Sequence, residues 1–196
     1  MKRIFLLFVL VFTTASAFAS NFYIDAFGGI NFVHNIEENG DHLDFNTGYA
    51  LGGSLGYRFS QYLRVEVEGA YRSNTADQMV IQNVQIPLSG SIQKATLMAN
   101  GLVNIPFTQN LSAYIGAGAG ERWDREVFTV DPLTTADGVT FFPTFKSESQ
   151  GFVCQGIAGI VFCTNQQMQL AAEYRYLDGP SLQANHTLGL NLKRFF

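Results

Sequence analysis

Charged side chains recur at alternate positions in several segments of the 196-residue chain. This spacing places them on one face of a β-strand, with apolar residues on the other face. Acids and bases occur together on the charged face. Threading the whole chain as a closed sheet predicts one inward-facing set of charges: Asp25, Arg58, Arg64, Glu66, Glu68, Arg72, Lys94, Arg122, Glu173, Arg175 and Lys193.

Such a set of charges would either line a pore or form a paired, packed network. We favour the network, because a sheet of eight strands encloses an interior just wide enough for side chains to fill it. Unpaired charges would be costly in such an interior, so pairing of acids with bases is expected.

Two further groups of residues could support chemistry. The segment 34–48 holds ligands suited to a divalent metal, although a solvated acidic loop is the preferred interpretation: His34, Glu37, Glu38, Asp41, His42 and Asp44. His186 resembles the membrane-facing histidine of lipid A deacylases, but Thr187 and Leu188 follow it and the expected serine arrangement is missing. We therefore predict no catalytic residue, no metal site and no cofactor.

Period-2 alternation defines the elements that must position these residues. It can be followed through eight segments: 21–33, 49–59, 63–72, 92–105, 111–123, 150–162, 168–178 and 182–196. In the sixth segment neither face is clearly polar, so its facing stays open. Short connections at 60–62, 106–110 and 163–167 alternate with long ones at 34–48, 73–91 and 124–149 and with a compact one at 178–181. This alternation is characteristic of outer-membrane barrels.

The predicted fold is an all-β, eight-stranded, antiparallel up-and-down transmembrane β-barrel. A soluble barrel or sandwich would show the same alternation, but the strand lengths suit a bilayer crossing. The threading also places aromatic residues at both rims, as in the girdles of membrane barrels. They are Phe22, Tyr57, Phe59, Phe107, Phe162 and Phe196 at one end and Phe32, Tyr49, Tyr71, Trp123 and Tyr176 at the other.

The first 20 residues have the features of a cleaved signal peptide: a basic start at Lys2 and Arg3, then an apolar run from Ile4 to Phe12. Residues 21–196 would then form one barrel domain. Removal of Lys2 and Arg3 with the signal peptide leaves 10 basic side chains against 16 acidic ones, a formal charge of −6 that argues against nucleic acid as a partner. An exported chain with two cysteines suggests a disulfide. However, Cys154 and Cys163 are expected on one strand, about 30 Å apart, so we predict free thiols.

Three stretches resemble the OmpA-like and opacity-type small barrels of Gram-negative outer membranes: Asn21 to Gly29, Leu111 to Gly120 and Ala172 to Asp178. The resemblance implies a surface protein, with members acting as adhesins, surface antigens, stress-resistance proteins or structural barrels. It also implies contact with outer-membrane lipid and with the barrel-assembly machinery. That machinery would recognise the alternating apolar end of the chain: Leu188, Leu190, Leu192 and Phe196.

The connection at 124–149 is rich in β-formers on either side of turn residues around Pro132 and Gly138. It is predicted to continue two strands past the bilayer as an exposed hairpin. Phe128, Phe141 and Phe142 would be its partner-binding side chains, since aromatic anchors tend to dominate interface energy. Alternatively, these rings pack against the connection at 73–91 and close the barrel mouth.

The sequence therefore predicts a non-enzymatic outer-membrane surface protein. Its external loops would serve adhesion, other surface interactions with host or environmental ligands, or envelope integrity. The alternatives are a porin-like channel for small solutes and a lipid-modifying outer-membrane enzyme.

Overall fold

The computed structural model describes residues 21–33, 36–38, 41–81, 84–108, 111–130, 133–134, 140–141, 144–163, 167–179 and 184–196. The proposed signal peptide lies outside these residues. The described strands are β1 (Phe22–Val33), β2 (Ile36–Glu38), β3 (Asp41–Phe45), β4 (Gly48–Arg58), β5 (Leu63–Ile81), β6 (Val84–Pro106), β7 (Leu111–Val130), β8 (Leu133–Thr134), β9 (Thr140–Phe141), β10 (Thr144–Cys163), β11 (Met168–Asp178) and β12 (Asn185–Phe195). No helix among the described residues is long and apolar enough to cross a membrane.

Eight of these strands close into a barrel: β1, β4, β5, β6, β7, β10, β11 and β12. Each pairs antiparallel with its neighbours in the chain, and β1 pairs with β12 to join the two ends. Closure removes the exposed sheet edges that a bilayer would not tolerate. The predicted fold class, an eight-stranded antiparallel barrel, is confirmed.

Side chains alternate between the lumen and the outer surface along each barrel strand. In β5, Arg64, Glu66 and Glu68 are buried, whereas Val65 and Val67 are 41% and 56% exposed on the outside. Large inward rings need space beside them. Tyr23 lies across Gly56, and Tyr114 lies across Gly159, where a Cβ atom would collide with the ring. The glycines therefore make room for aromatic side chains in a narrow lumen.

The predicted aromatic rims face outward at both ends of the barrel. We call the end with the turns at 59–62 and 107–110 the lower end, and the end with the long connections the upper end. Phe59 and Phe107 are 61% and 62% exposed at the lower end, and Trp123 is 43% exposed at the upper end. Neighbouring rings touch, as in Phe22 and Tyr57, whose centroids lie 4.9 Å apart.

The structure corrects the predicted lengths of two connections. Most of 73–91 and 124–149 is strand, because β5 continues to Ile81, β6 starts at Val84, β7 reaches Val130 and β10 starts at Thr144. These four strands have 19 to 23 residues, against 11 or 12 in the other barrel strands. The alternation weakens beyond residue 73 because both faces of a strand above the bilayer can be polar.

We call the parts of β5, β6, β7 and β10 that lie within residues 73–91 and 124–149 the wall. The register of β7 with β10 is continuous from Phe162 opposite Leu111 to Thr144 opposite Thr129, so the predicted paired continuation of these two strands is confirmed, and its position beyond the bilayer stays a prediction. On the other side of the wall, β3 pairs with β5, and β2 pairs with β3. The predicted loop at 34–48 thus contains two short strands.

The facing of β10, which the sequence left open, is settled by burial. Val153, Gln155, Ile157 and Val161 point inward and are buried. Cys154 is exposed on the outer face and its thiol is free. Both cysteines lie on β10, nine positions apart as predicted, although the side chain of Cys163 is outside the described part. The inward apolar residues join Tyr114, Leu102 and Ala171 or Met98 and Leu177 in small clusters.

Candidate functional site

The lumen is the main concentration of polar chemistry in the described part of the chain. Of the eleven charges predicted to face inward, ten are buried: Asp25, Arg64, Glu66, Glu68, Arg72, Lys94, Arg122, Glu173, Arg175 and Lys193. Arg58, at the lower end, is half-buried, with its guanidinium 4.7 Å from the centroid of the Phe195 ring. Strand alternation alone brings these residues into one interior, although they come from seven strands.

Glu68 is the centre of the network in the middle of the lumen. It pairs with Arg175 and accepts hydrogen bonds from Asn100 Nδ2 at 2.8 Å and from Gln155 Nε2 at 3.1 Å. Arg175 also pairs with Glu173, which accepts a hydrogen bond from the hydroxyl of Tyr114. These contacts connect five barrel strands through charge-assisted hydrogen bonds.

A second layer lies nearer the lower end. Lys193 Nζ is 3.6 Å from Asp25 Oδ2 and 4.7 Å from the centroid of the Tyr23 ring. Tyr23 donates a hydrogen bond of 2.9 Å to Glu66. The guanidinium of Arg64 stacks over the Tyr114 ring at 4.2 Å, a cation–π contact between two buried side chains. Charges and rings together fill this part of the barrel.

The upper layer is divided into two halves. One half is a closed amide network, in which Asn31 donates to Asn74 at 2.6 Å and to Asn185 at 3.2 Å, and accepts from Thr187 at 2.7 Å. The other half holds the cations Arg72, Lys94 and Arg122, of which Arg122 pairs with Asp124.

Several participants were absent from the predicted set of lumen residues, among them Tyr23, Asn31, Asn74, Asn185, Thr187 and the four considered next. Asp124 was missed because the fifth segment was ended at Trp123, although it stands two positions after Arg122 on the same face. Tyr114, Asn100 and Gln155 are neutral, so a search for charges passed over them. Tyr114 could have been found from its alternation with small residues in 111–120, which predicts an inward ring.

Of the three predicted partner-binding rings, the structure describes the side chain of one. Phe128 on β7 is half-buried and lies against Gly90 of β6. Phe141 is in the two-residue strand β9, and its side chain is outside the described residues, as is the whole of Phe142. Opposite Phe128 in the register stands Phe145, which is 62% exposed.

The other two candidate sites are the possible metal ligands of 34–48 and His186. The predicted loop of possible metal ligands has no described side chains, and the described residues contain no group of three potential metal ligands. His186 lies on the outer surface, where its Nδ1 is 2.7 Å from the hydroxyl of Tyr174 and its ring is 5.2 Å from that of Tyr176. Its described partners are tyrosines of the upper rim, and the neighbouring Thr187 points into the lumen.

The end of the chain is held in the barrel. Leu188, Leu190 and Leu192 are 49%, 59% and 38% exposed on the outer surface, as the alternation predicts. The backbone N–H of Phe196 donates to the carbonyl of Phe22 at 3.1 Å. The predicted assembly signal therefore forms the outer face of the strand that closes the barrel; its recognition by assembly machinery stays a prediction.

Fold and lumen together define a membrane β-barrel with a polar, side-chain-filled interior and an apolar outer surface. The family model described as outer membrane protein beta-barrel domain matches residues 4–196, and the chain belongs to this family. The protein is thus an outer-membrane barrel.

Relatives and solved structures agree with this assignment. An outer membrane protein of Gluconacetobacter diazotrophicus is 26% identical over 194 residues, covering 86% of this chain and 50% of the relative. The chain spans about half to two thirds of the length of the curated relatives it matches. Neisserial surface protein A aligns with a TM-score of 0.55 at 16% identity, covering 89% of this chain and 97% of that chain. OprG from Pseudomonas aeruginosa aligns with a TM-score of 0.50 at 13% identity, covering 89% and 96%.

Proposed function

We propose that this protein is a non-enzymatic surface barrel whose wall contacts host or environmental ligands outside the cell. The observation that carries the proposal is the height of the wall. The nine extra residues of β7 over β11 lengthen the strand by about 30 Å. A strand of 11 residues is already long enough to cross a bilayer, so this additional length stands in the external medium.

The wall offers aromatic side chains for such contacts. Phe145 and Phe128 are cross-strand neighbours, and Phe145 is 62% exposed. A large exposed ring above the bilayer is costly in water and is typical of an interface anchor. Charges at Lys146 and Glu148 on the same strand disfavour pairing of β10 with another β-edge. Contact through side chains is therefore favoured over strand addition.

The filled lumen argues against the alternative of a solute channel. Glu68, Arg175 and Glu173 meet in the middle of the barrel, and Tyr23 and Tyr114 lie across it nearby. Passage of a solute would require several buried ion pairs to break together. We expect no stepwise conductance in planar bilayers at moderate voltage, whereas regular conductance steps would favour the channel.

The surroundings of His186 argue against the alternative of a lipid-modifying enzyme. Its Nδ1 is engaged by the hydroxyl of Tyr174, and its described partners include no serine nucleophile or carboxylate. The mass spectrum of lipid A should be the same in cells expressing the protein and in cells expressing His186→Ala. A mass change that depends on His186 would favour the enzyme.

Adhesion can be tested with two phenylalanines of equal exposure at opposite ends of the barrel. Phe145 on the wall and Phe107 at the lower turn are both 62% exposed. Intact cells expressing the wild type, Phe145→Ser or Phe107→Ser would be compared for binding to cultured cells and to immobilised matrix proteins. The proposal expects weaker binding only for Phe145→Ser, by about tenfold or more for the loss of an anchor.

Removing residues 128–142 extends the test to the hairpin that carries all three predicted rings. The shortened protein should keep the heat-modifiable gel mobility of a folded barrel, because the deleted segment lies above the bilayer. Loss of binding in this variant would support the adhesin. Full binding would remove the hairpin from the proposal.

A further inference from the structure

Three cationic side chains crowd one side of the upper lumen. Arg72 on β5 is directly opposite Lys94 on β6, and Arg122 on β7 is opposite Thr96, two positions further along β6. Their exposed fractions are only 1%, 3% and 5%. Like charges directly opposite each other destabilise a sheet, and buried cations require anionic partners. This arrangement therefore needs compensating negative charge.

The described residues supply only part of that charge. Arg122 pairs with Asp124, and Lys94 is attracted electrostatically by the half-buried Glu126 while both arginines repel it. Arg72 is attracted by Glu68, whose Oε2 is bound by Arg175, Asn100 and Gln155 while its Oε1 has no hydrogen-bond partner among the described residues. Among the described residues, the three cations thus share Asp124 and Glu126 of their own layer and the charge of Glu68, which also binds Arg175.

The hydrogen bonds of Arg72 leave one edge of its guanidinium unused. Its Nη1 donates to Thr96 Oγ1 at 3.1 Å. Its Nε and Nη2 are buried and have no acceptor among the described residues, and the same is true of Arg122 Nε. The Nε–Nη2 edge presents two parallel N–H groups, which match two oxygens of a carboxylate or phosphate.

The groups beside these donors are a self-bonded amide network and a glycine. The amides of Asn31, Asn74 and Asn185 bind one another on the other side of the upper lumen. Beside Arg122 stands Gly151, where an added Cβ would lie 3.6 to 3.9 Å from the guanidinium, an ordinary contact distance. The side of Arg122 that faces β10 is therefore covered by a residue without a side chain.

We propose that the upper lumen binds a small oxyanion between Arg72, Lys94 and Arg122. Its chemical class is a free phosphate or carboxylate ion that enters from the external solution through the barrel mouth. The ion would accept two hydrogen bonds from the Arg72 fork and one each from Lys94 Nζ and Arg122 Nε. It would neutralise the excess of cations on this side of the lumen and stabilise the upper barrel.

The test uses the complete refolded barrel in detergent micelles. Urea unfolding would be followed in inorganic phosphate, in acetate and in chloride at equal ionic strength and pH. Phosphate, acetate or both should raise the unfolding midpoint above its value in chloride, and the one that does so identifies the class of ion. Equal midpoints in all three salts would overturn the proposal.

Two variants decide whether the ion binds at this place. Lys94→Met removes one cation and should weaken the apparent affinity for the ion by about tenfold or more, as expected for the loss of a hydrogen bond between charged groups. Gly151→Asp places a carboxylate beside Arg122 and should reduce the effect of the ion, whereas Gly151→Ala should retain it. An undiminished effect in both Lys94→Met and Gly151→Asp would place the ion elsewhere and overturn the proposal.

Discussion

Replacement of Glu68 by leucine tests whether the lumen network holds the barrel together. Glu68 is fully buried and is bound by Arg175, Asn100 and Gln155. Glu68→Leu leaves Arg175 with Glu173 as its acidic hydrogen-bond partner among the described residues. It also takes one acceptor from each amide, so that Asn100 Nδ2 keeps only Glu66 Oε1 at 3.2 Å and Gln155 Nε2 keeps only Asn100 Oδ1 at 2.7 Å in this part of the structure. Breaking one partner of a buried ion pair costs roughly 3–5 kcal/mol. We expect a loss of unfolding free energy of this size.

The chain provides a matched control for this substitution. Glu148 forms an ion pair of 3.8 Å with Arg125 on the wall, where the two side chains are 79% and 59% exposed. Exposed pairs contribute about 0–1 kcal/mol, so Glu148→Leu should change stability little. The two variants share the same residue types and differ in burial.

The assay is equilibrium urea unfolding of the refolded barrel, followed by tryptophan fluorescence and heat-modifiable mobility. With a slope of roughly 1–3 kcal/mol per molar urea, the midpoint for Glu68→Leu should fall by about 1 M or more. The double variant Glu68→Leu/Arg175→Met should recover part of the loss, because it removes the orphaned cation as well. Equal shifts for Glu68→Leu and Glu148→Leu would refute the reasoning.

Two further predictions concern packing and thiol chemistry. Gly159→Ala should lower the unfolding free energy by about 1–3 kcal/mol, because its methyl group would collide with the Tyr114 ring. Gly156→Ala on the same strand should be nearly neutral, since nothing lies within 4 Å of its added Cβ, and comparable losses in the two variants would contradict this explanation. A maleimide reagent should label both Cys154 and Cys163 in unfolded protein that has not been reduced. An intramolecular disulfide would leave both cysteines without the mass of the maleimide label, and this result would contradict the placement of both on β10.

The local sequence pattern was sufficient to predict the barrel fold and most of the charged residues that face its lumen. Alternation is a property of one strand at a time, so the facing of Glu66 or Arg175 needs no knowledge of the partner strand. The same holds for the outward rims, where Phe59 and Phe107 close short turns. Membership of the outer-membrane family rests on the match of residues 4–196 to the family model.

The chain by itself did not determine the height of the wall, the facing of β10 or the pairing of the lumen charges. In β7 the apolar outer face ends at Trp123, and the exposed Arg125 that follows is polar like the inward Asp124. The alternation therefore gave no signal past Trp123, and Asp124 was missed although it is buried in the lumen. In β10 both faces are apolar, because its inward residues pack on Tyr114 and Met98 while its outward residues face lipid.

The partners of a buried charge are set by closure of the barrel. Glu68 meets Arg175, which is 107 positions away, and Gln155, which is 87 positions away. No spacing along the chain encodes these contacts, since they depend on the register of several strands at once. The sequence determined which residues enter the lumen. The tertiary structure decided which of them neutralise one another and which donors, such as Nε and Nη2 of Arg72, have no acceptor among the described residues.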